Sequence, residues 1–165
     1  MSHEPLNILF VCTGNSSRSI LAEALTNHVG ARRFRAFSAG SQPTGVVNPM
    51  ALATLAKLHL PAEGYRNKSW SEFAQADAPK LDFVFTVCDQ AAGEACPVWP
   101  GQPVSAHWGM ADPAAVQGTE EHRQQVFMNT AVLLKRRIEL LLALPTQTLE
   151  RLALTQAVRQ IGQQS

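Results

Sequence analysis

An apolar run, Leu6-Asn7-Ile8-Leu9-Phe10-Val11, leads directly into Cys12-Thr13-Gly14-Asn15-Ser16-Ser17-Arg18-Ser19, and a helical pattern, Ile20-Leu21-Ala22-Glu23-Ala24-Leu25, follows at once. A strand that ends on a cysteine, a loop of small residues and a helix start leave the chain few ways to run. The strand is buried, the loop turns tightly, and the helix begins where the loop ends. In that geometry the backbone N–H groups of Thr13, Gly14, Asn15, Ser16 and Ser17 can converge into a nest for an anion. The helix N-terminus adds its unsatisfied donors and the positive end of its dipole. Arg18, with five residues between it and Cys12, offers a planar fork for two oxygens of a tetrahedral oxyanion. The same field favours the thiolate of Cys12 and makes it a nucleophile. Asn15 is expected to hold the loop's shape, because asparagine tolerates left-handed backbone. Ser19 is placed to donate a hydrogen bond to the thiolate.

The rest of the chain repeats the strand–helix alternation. Arg33 to Ser38 reads as a second strand. Asn48-Pro49 reads as an N-cap and first-turn proline for a helix to about Leu58. Ser69 to Phe73 reads as a short helical turn. Leu81 to Val87 is nearly all apolar, as a strand covered on both faces should be, and Val104 to Trp108 reads as a fourth strand. Thr119 to Leu144 reads as a long helix with an apolar stripe at Val126, Ala131, Leu134, Ile138 and Leu141 or Leu142. This order predicts an α/β fold: three layers, with an open, mostly parallel four-stranded sheet and helices on both faces. Ligands in such sheets bind beyond the carboxyl ends of the strands, where Cys12 and Cys88 both fall.

At 165 residues one globular domain is expected, over 1–145, with Pro145 ending the long helix. Residues 146–165 are expected to form a C-terminal helical extension on an amphipathic pattern from Leu149 to Val158; a frayed tail fits the same residues. A hydrophobic share of 45% with 16% charged residues excludes a disordered chain. A formal net charge of +1 gives no reason to expect nucleic acid or an anionic membrane as partner. No apolar run reaches membrane-spanning length, and Met1 to Pro5 has no signal-segment character. Three cysteines, an odd count, point to the cytoplasm and to reactive thiols rather than a disulfide framework. The cysteines and histidines lack the paired short spacings of a zinc site, and no dinucleotide fingerprint is present. No bound cofactor is expected, and a monomer is.

The segment CTGNSSRS resembles the phosphate-binding loop of the low-molecular-weight protein tyrosine phosphatases and of the arsenate reductases that share their fold. The likeness continues downstream over most of the chain. In the arsenate reductases that use a thiol relay, a cysteine after the third strand and another several residues on form the redox pair, and Cys88 and Cys96 match that arrangement. Asp112-Pro113 resembles the acid loop, with Asp112 as proton donor; an N-cap role for Asp112 is the alternative. Ala114 follows where the phosphatase branch usually has an aromatic residue. His107-Trp108-Gly109 also resembles the reductase branch; for His107 a structural role is favoured over that of a base. Many reductases carry a further cysteine where this chain has Ser17. Some relatives bind potassium near positions matching Asn15, Glu23 and Ser38; otherwise no metal is expected.

What the resemblance implies is an arsenate reductase that takes arsenate or a phosphate-like oxyanion. Cys12 is the nucleophile, and Arg18 with the loop residues Thr13 to Ser19 binds the oxyanion. Cys88 and Cys96 carry a Cys12/Cys88/Cys96 thiol–disulfide relay, and Asp112 is the acid. Electrons would come from an external thiol reductant: thioredoxin, or glutaredoxin with glutathione. A tyrosine phosphatase is the first alternative, since it needs neither downstream cysteine. An oxyanion-binding or redox-sensing module without catalysis is the second.

Overall fold

The computed structural model describes residues 5–87, 103–145 and 161. Four strands, β1 (Leu6–Cys12), β2 (Phe34–Gly40), β3 (Phe83–Thr86) and β4 (Val104–His107), form one sheet in the order β2-β1-β3-β4. All three pairings are parallel. The most apolar strand, β1, therefore sits inside the sheet, with Ile8 to Val11 essentially inaccessible to water.

Register brings the carboxyl ends together. Cys12 lies opposite Gly40, Val11 opposite Thr86, and Thr86 opposite His107. Alternation along β2 then covers both faces. Ser38 points to α1 (Arg18–Val29), where its hydroxyl meets Glu23, while Phe37 points the other way onto Phe73. Phe73 belongs to a short 3-10 helix, Trp70–Ala74, capped by the Ser69 side chain. Beneath the site, Phe85 stacks against Trp108 with ring centroids 4.6 Å apart, and Phe10 closes edge-on against Phe85 at 5.9 Å. Aromatic contacts of this kind add to plain burial.

The second helix, α2 (Pro49–Lys57), begins as its sequence predicts: the Asn48 side chain accepts from Met50 N–H at 2.8 Å and Pro49 occupies the first turn. The long helix, α3, runs Glu120–Leu142, capped by Thr119 Oγ1 on His122 N–H. Its buried stripe differs from the expected one: Phe127 replaces Val126, and Arg137 is buried beside Ile138. At its far end the Arg33 guanidinium donates to the carbonyls of Leu142 and Leu144, placing a cation where the helix dipole is negative. The strands β3 and β4 are shorter than their apolar runs suggest. Cys88, Cys96 and the segment between them lie outside the described residues, as does the proposed extension apart from Ile161, which is helical and buried.

Gly40 ends β2 at the point of closest approach to the loop after Cys12. A Cβ there would lie 2.6 Å from the Thr13 carbonyl oxygen and 3.0 Å from the Asn15 backbone nitrogen. Both are backbone atoms and cannot swing aside. Gly40→Ala is expected to destabilise the protein by about 1–3 kcal/mol in urea denaturation and to weaken phosphate binding as the loop is pushed outward.

Candidate active site

The loop from Thr13 to Ser17 joins β1 to α1, and its shape is set from outside. The Cys12 carbonyl accepts from Ser41 N–H, Thr13 from Gln42, Ser16 from Asn48 and Ser17 from Leu21, at 2.9–3.2 Å. The Gly14 carbonyl accepts from Thr44 N–H. The Asn67 carboxamide nitrogen then reaches both the Gly14 and the Asn15 carbonyls, each at 2.8 Å. Since a peptide's C=O and N–H point in opposite directions, carbonyls held outward turn the amides inward. Among the described residues, the N–H groups of Gly14, Asn15, Ser16 and Ser17 have no protein acceptor.

Asn15 is the turning point. It is fully buried at φ +51°, in the left-handed region that asparagine accepts more readily than most residues. Its Nδ2 donates to Ser19 Oγ and its Oδ1 accepts from Lys68 N–H, both at 2.9 Å. Ser19 therefore serves Asn15 through its oxygen and keeps its own hydrogen for another acceptor.

A cavity of about 290 Å³ opens over this loop, lined by Cys12, Thr13, Gly14, Ser16, Ser17, Arg18, Gln42, Thr44 and Asp112. Cys12 lies at its base, only 4% exposed. Ser17 stands at the N-cap of α1 without a capping side-chain bond, and its Oγ is buried with no hydrogen-bond partner. Arg18 Nε is also buried without one. Unpartnered buried donors are costly, and these two, on neighbouring residues, border one cavity. The arrangement fits an oxyanion.

Across the cavity, Arg18 Nη1 donates to the Met110 carbonyl at 3.0 Å, and Nη2 lies 3.8 Å from Asp112 Oδ2. Asp112 also caps the 3-10 turn Pro113–Ala115, accepting from Ala114 N–H at 2.9 Å. The expected N-cap geometry is thus present together with a position at the cavity wall. The Asp112 side chain is 42% exposed, so this ion pair contributes little stability by itself. His107 is not among the described lining residues; its Nδ1 and Thr86 Oγ1 share a 2.7 Å hydrogen bond at the strand ends.

Behind the loop, Ser38 Oγ donates to Glu23 Oε1 at 2.5 Å. Burial pushes the Glu23 carboxyl above its usual range; the Ser38 hydrogen bond and the positive charges of Lys68 and Arg66 work against that. Burial likewise lowers Lys68, against the pull of Glu23. Around the positions matched to a potassium site, Asn15 Oδ1 accepts from Lys68 N–H, the Ser38 hydroxyl donates to Glu23, and the positive charge of Lys68 acts on the Glu23 carboxyl. Among the described residues no three His, Cys, Asp or Glu side chains cluster as metal ligands.

The family pattern described as "Low molecular weight phosphotyrosine protein phosphatase" matches residues 7–153. The chain belongs to that family. Within it, the chain is 35% identical to an arsenate reductase of Oceanobacillus iheyensis over 120 residues, covering 73% of this chain and 83% of that one. Among solved structures, an arsenate reductase in a phosphate-binding state superposes with a TM-score of 0.68 at 27% identity, covering 84% of this chain and 97% of that chain. A protein tyrosine phosphatase shares the fold with a TM-score of 0.63 at 22% identity, covering 81% and 90% respectively. The three-layer phosphatase-type fold expected from the sequence is the one observed. Asn67 and Lys68 carried no periodic or motif signal; only asparagine's habit of bonding backbone could have drawn attention to Asn67.

Two outcomes follow from this family loop. Asn67→Ala leaves the Asn15 carbonyl without its described donor and the Gly14 carbonyl with one fewer, so phosphate is expected to bind roughly tenfold more weakly by calorimetry, with the melting temperature lowered. A carboxyl whose folded pKa is raised stabilises the fold while protonated, below its ordinary value of 4.5, and loses that contribution as pH rises through the folded value. The stability of wild type relative to Glu23→Gln should therefore fall in urea melts as pH rises above 4.5; a difference that rises with pH there would contradict the burial effect.

Proposed function

We propose that the chain is an arsenate reductase, with Cys12 as nucleophile and Cys88 and Cys96 as relay thiols. The observation that carries the reading is the ring of inward amides, with Arg18 and Ser17, around a buried cysteine at a helix N-terminus. Such a cradle stabilises a tetrahedral oxyanion and the charge that builds on it during substitution. Phosphate and arsenate share that shape, so the cradle alone does not choose the reaction. The arsenate reductase relatives, and Ala114 after Asp112-Pro113, favour reduction.

In the proposed sequence the Cys12 thiolate attacks arsenic(V) and forms a sulfur–arsenic bond, while Asp112 donates a proton to the departing oxygen. The Cys88 thiolate then attacks Cys12 Sγ. The sulfur–arsenic bond breaks with its electron pair going to arsenic, arsenite leaves, and a Cys12–Cys88 disulfide remains. Cys96 attacks Cys88, which frees Cys12 as thiolate and forms Cys88–Cys96. A dithiol such as thioredoxin, or glutaredoxin with glutathione, takes up the final disulfide and restores the reduced protein. Each disulfide requires Cα atoms about 4.4–6.8 Å apart, so Cys88 must approach Cys12 and Cys96 in turn.

Single-turnover arsenate reduction by the fully reduced protein, followed by disulfide mapping, tests this. Wild type is expected to yield one arsenite per chain and Cys88–Cys96, Cys96→Ser to trap Cys12–Cys88, and Cys12→Ser and Cys88→Ser to yield none. Absence of arsenite, with aryl phosphate hydrolysis lost only in Cys12→Ser, would identify a phosphatase instead. Tight phosphate binding without either reaction would identify a binding module.

A further inference from the structure

Arg137 is the one arginine in the buried stripe of α3, only 5% exposed. Placing a guanidinium in a helix–sheet interior is costly unless its donors are used. One is used on the Gly109 carbonyl, with Arg137 Nη1 at 3.2 Å. The next residue, Met110, gives its carbonyl to Arg18 Nη1 at 3.0 Å. Two residues further on stands Asp112, closed by its own cap on Ala114. The segment from Gly109 to Asp112 is thus gripped from the rear by Arg137, from the cavity side by Arg18 and at its far end by the cap.

These grips differ in what they depend on. Arg18 lines the cavity and has a buried Nε without a partner, so its guanidinium is the group an oxyanion would draw away from Met110. Arg137 reaches Gly109 from α3 and is not among the residues lining the cavity. Its bond to Gly109 is made outside the space an oxyanion would occupy.

We propose that Arg137 is a positioning residue that holds the Gly109–Asp112 segment in place while Arg18 engages the oxyanion, keeping the Asp112 carboxyl within reach of the departing oxygen. Burial also lowers the Arg137 pKa, without neutralising a guanidinium near neutral pH. This proposal rests on the reading of Asp112 as the acid in the reductase reaction.

A double-mutant cycle tests it, using single-turnover arsenite formation with wild type, Arg137→Met, Asp112→Asn and the double variant, each checked for phosphate binding and melting temperature. Arg137→Met keeps an unbranched apolar stem but removes the donors. It should slow turnover roughly 10–100-fold in the wild-type background, as loss of placement does, and less than about twofold in Asp112→Asn. Arg137→Lys, which keeps a donor group and the charge, should restore most of the rate. Equal factors in both backgrounds, or an unchanged rate in Arg137→Met, would overturn the proposal, because a general loosening acts whether or not the acid is present. Should Arg137→Met not fold, Arg137→Lys and Arg137→Gln run through the same cycle decide the matter. Wild type that makes no arsenite, or Asp112→Asn as fast as wild type, overturns the underlying reading instead and is told apart by those two proteins alone.

Discussion

The outward hold on the carbonyls from Cys12 to Ser17 is the constraint on which the rest of this structure turns. A loop of small residues has many conformations, and leaving its amides pointed at one spot costs backbone entropy and exposes like dipoles to one another. Here the cost is offset on the convex side. Backbone donors from Ser41, Gln42, Thr44 and Asn48, and the Asn67 carboxamide, take the carbonyls one after another. The concave side is thereby prepared before any anion arrives. Preorganised donors of this kind are worth more than donors that must be turned into place during reaction.

The same logic explains what lies behind the loop. Asn15 at positive φ needs both ends of its side chain satisfied, and Ser19 and Lys68 do that. The main chain of Lys68 also accepts from Gly40 N–H, and Ser69 bridges Gly40 in parallel fashion. The stretch from Asn67 to Ser69 thus acts as a short splint between the end of β2 and the loop. Its ammonium and the Glu23 carboxyl share one side of the buried layer, and each moderates the cost of burying the other.

The cavity's far wall depends on different chemistry. Arg18 bonds Met110 and lies near Asp112, so one guanidinium links the helix start after the loop to the segment carrying the carboxyl. Arg137 supports the same segment from the helix layer. The aromatic layer of Phe10, Phe85 and Trp108 packs β1, β3 and the residue after β4 against one another.

Much of this was legible in the chain. The apolar run into Cys12, the small-residue loop and the helix start are local features, and local features determine a strand, a turn and a helix without help. Asn48-Pro49 and the Asp112-Pro113 cap were legible for the same reason: each satisfies donors within its own turn. Alternation of strands and helices determined the parallel sheet. Tertiary structure decided which distant residues close the site. Asn67, more than fifty positions from the loop it holds, sits in a polar stretch with no period. Arg137 interrupts a stripe that periodicity would fill with an apolar residue, whereas Phe127, in the place given to Val126, continues the four-and-three spacing of Ala131, Leu134, Ile138 and Leu141 and was legible in the helical period itself. A side chain's partner across the fold depends on register and packing, and those are fixed only when all layers meet.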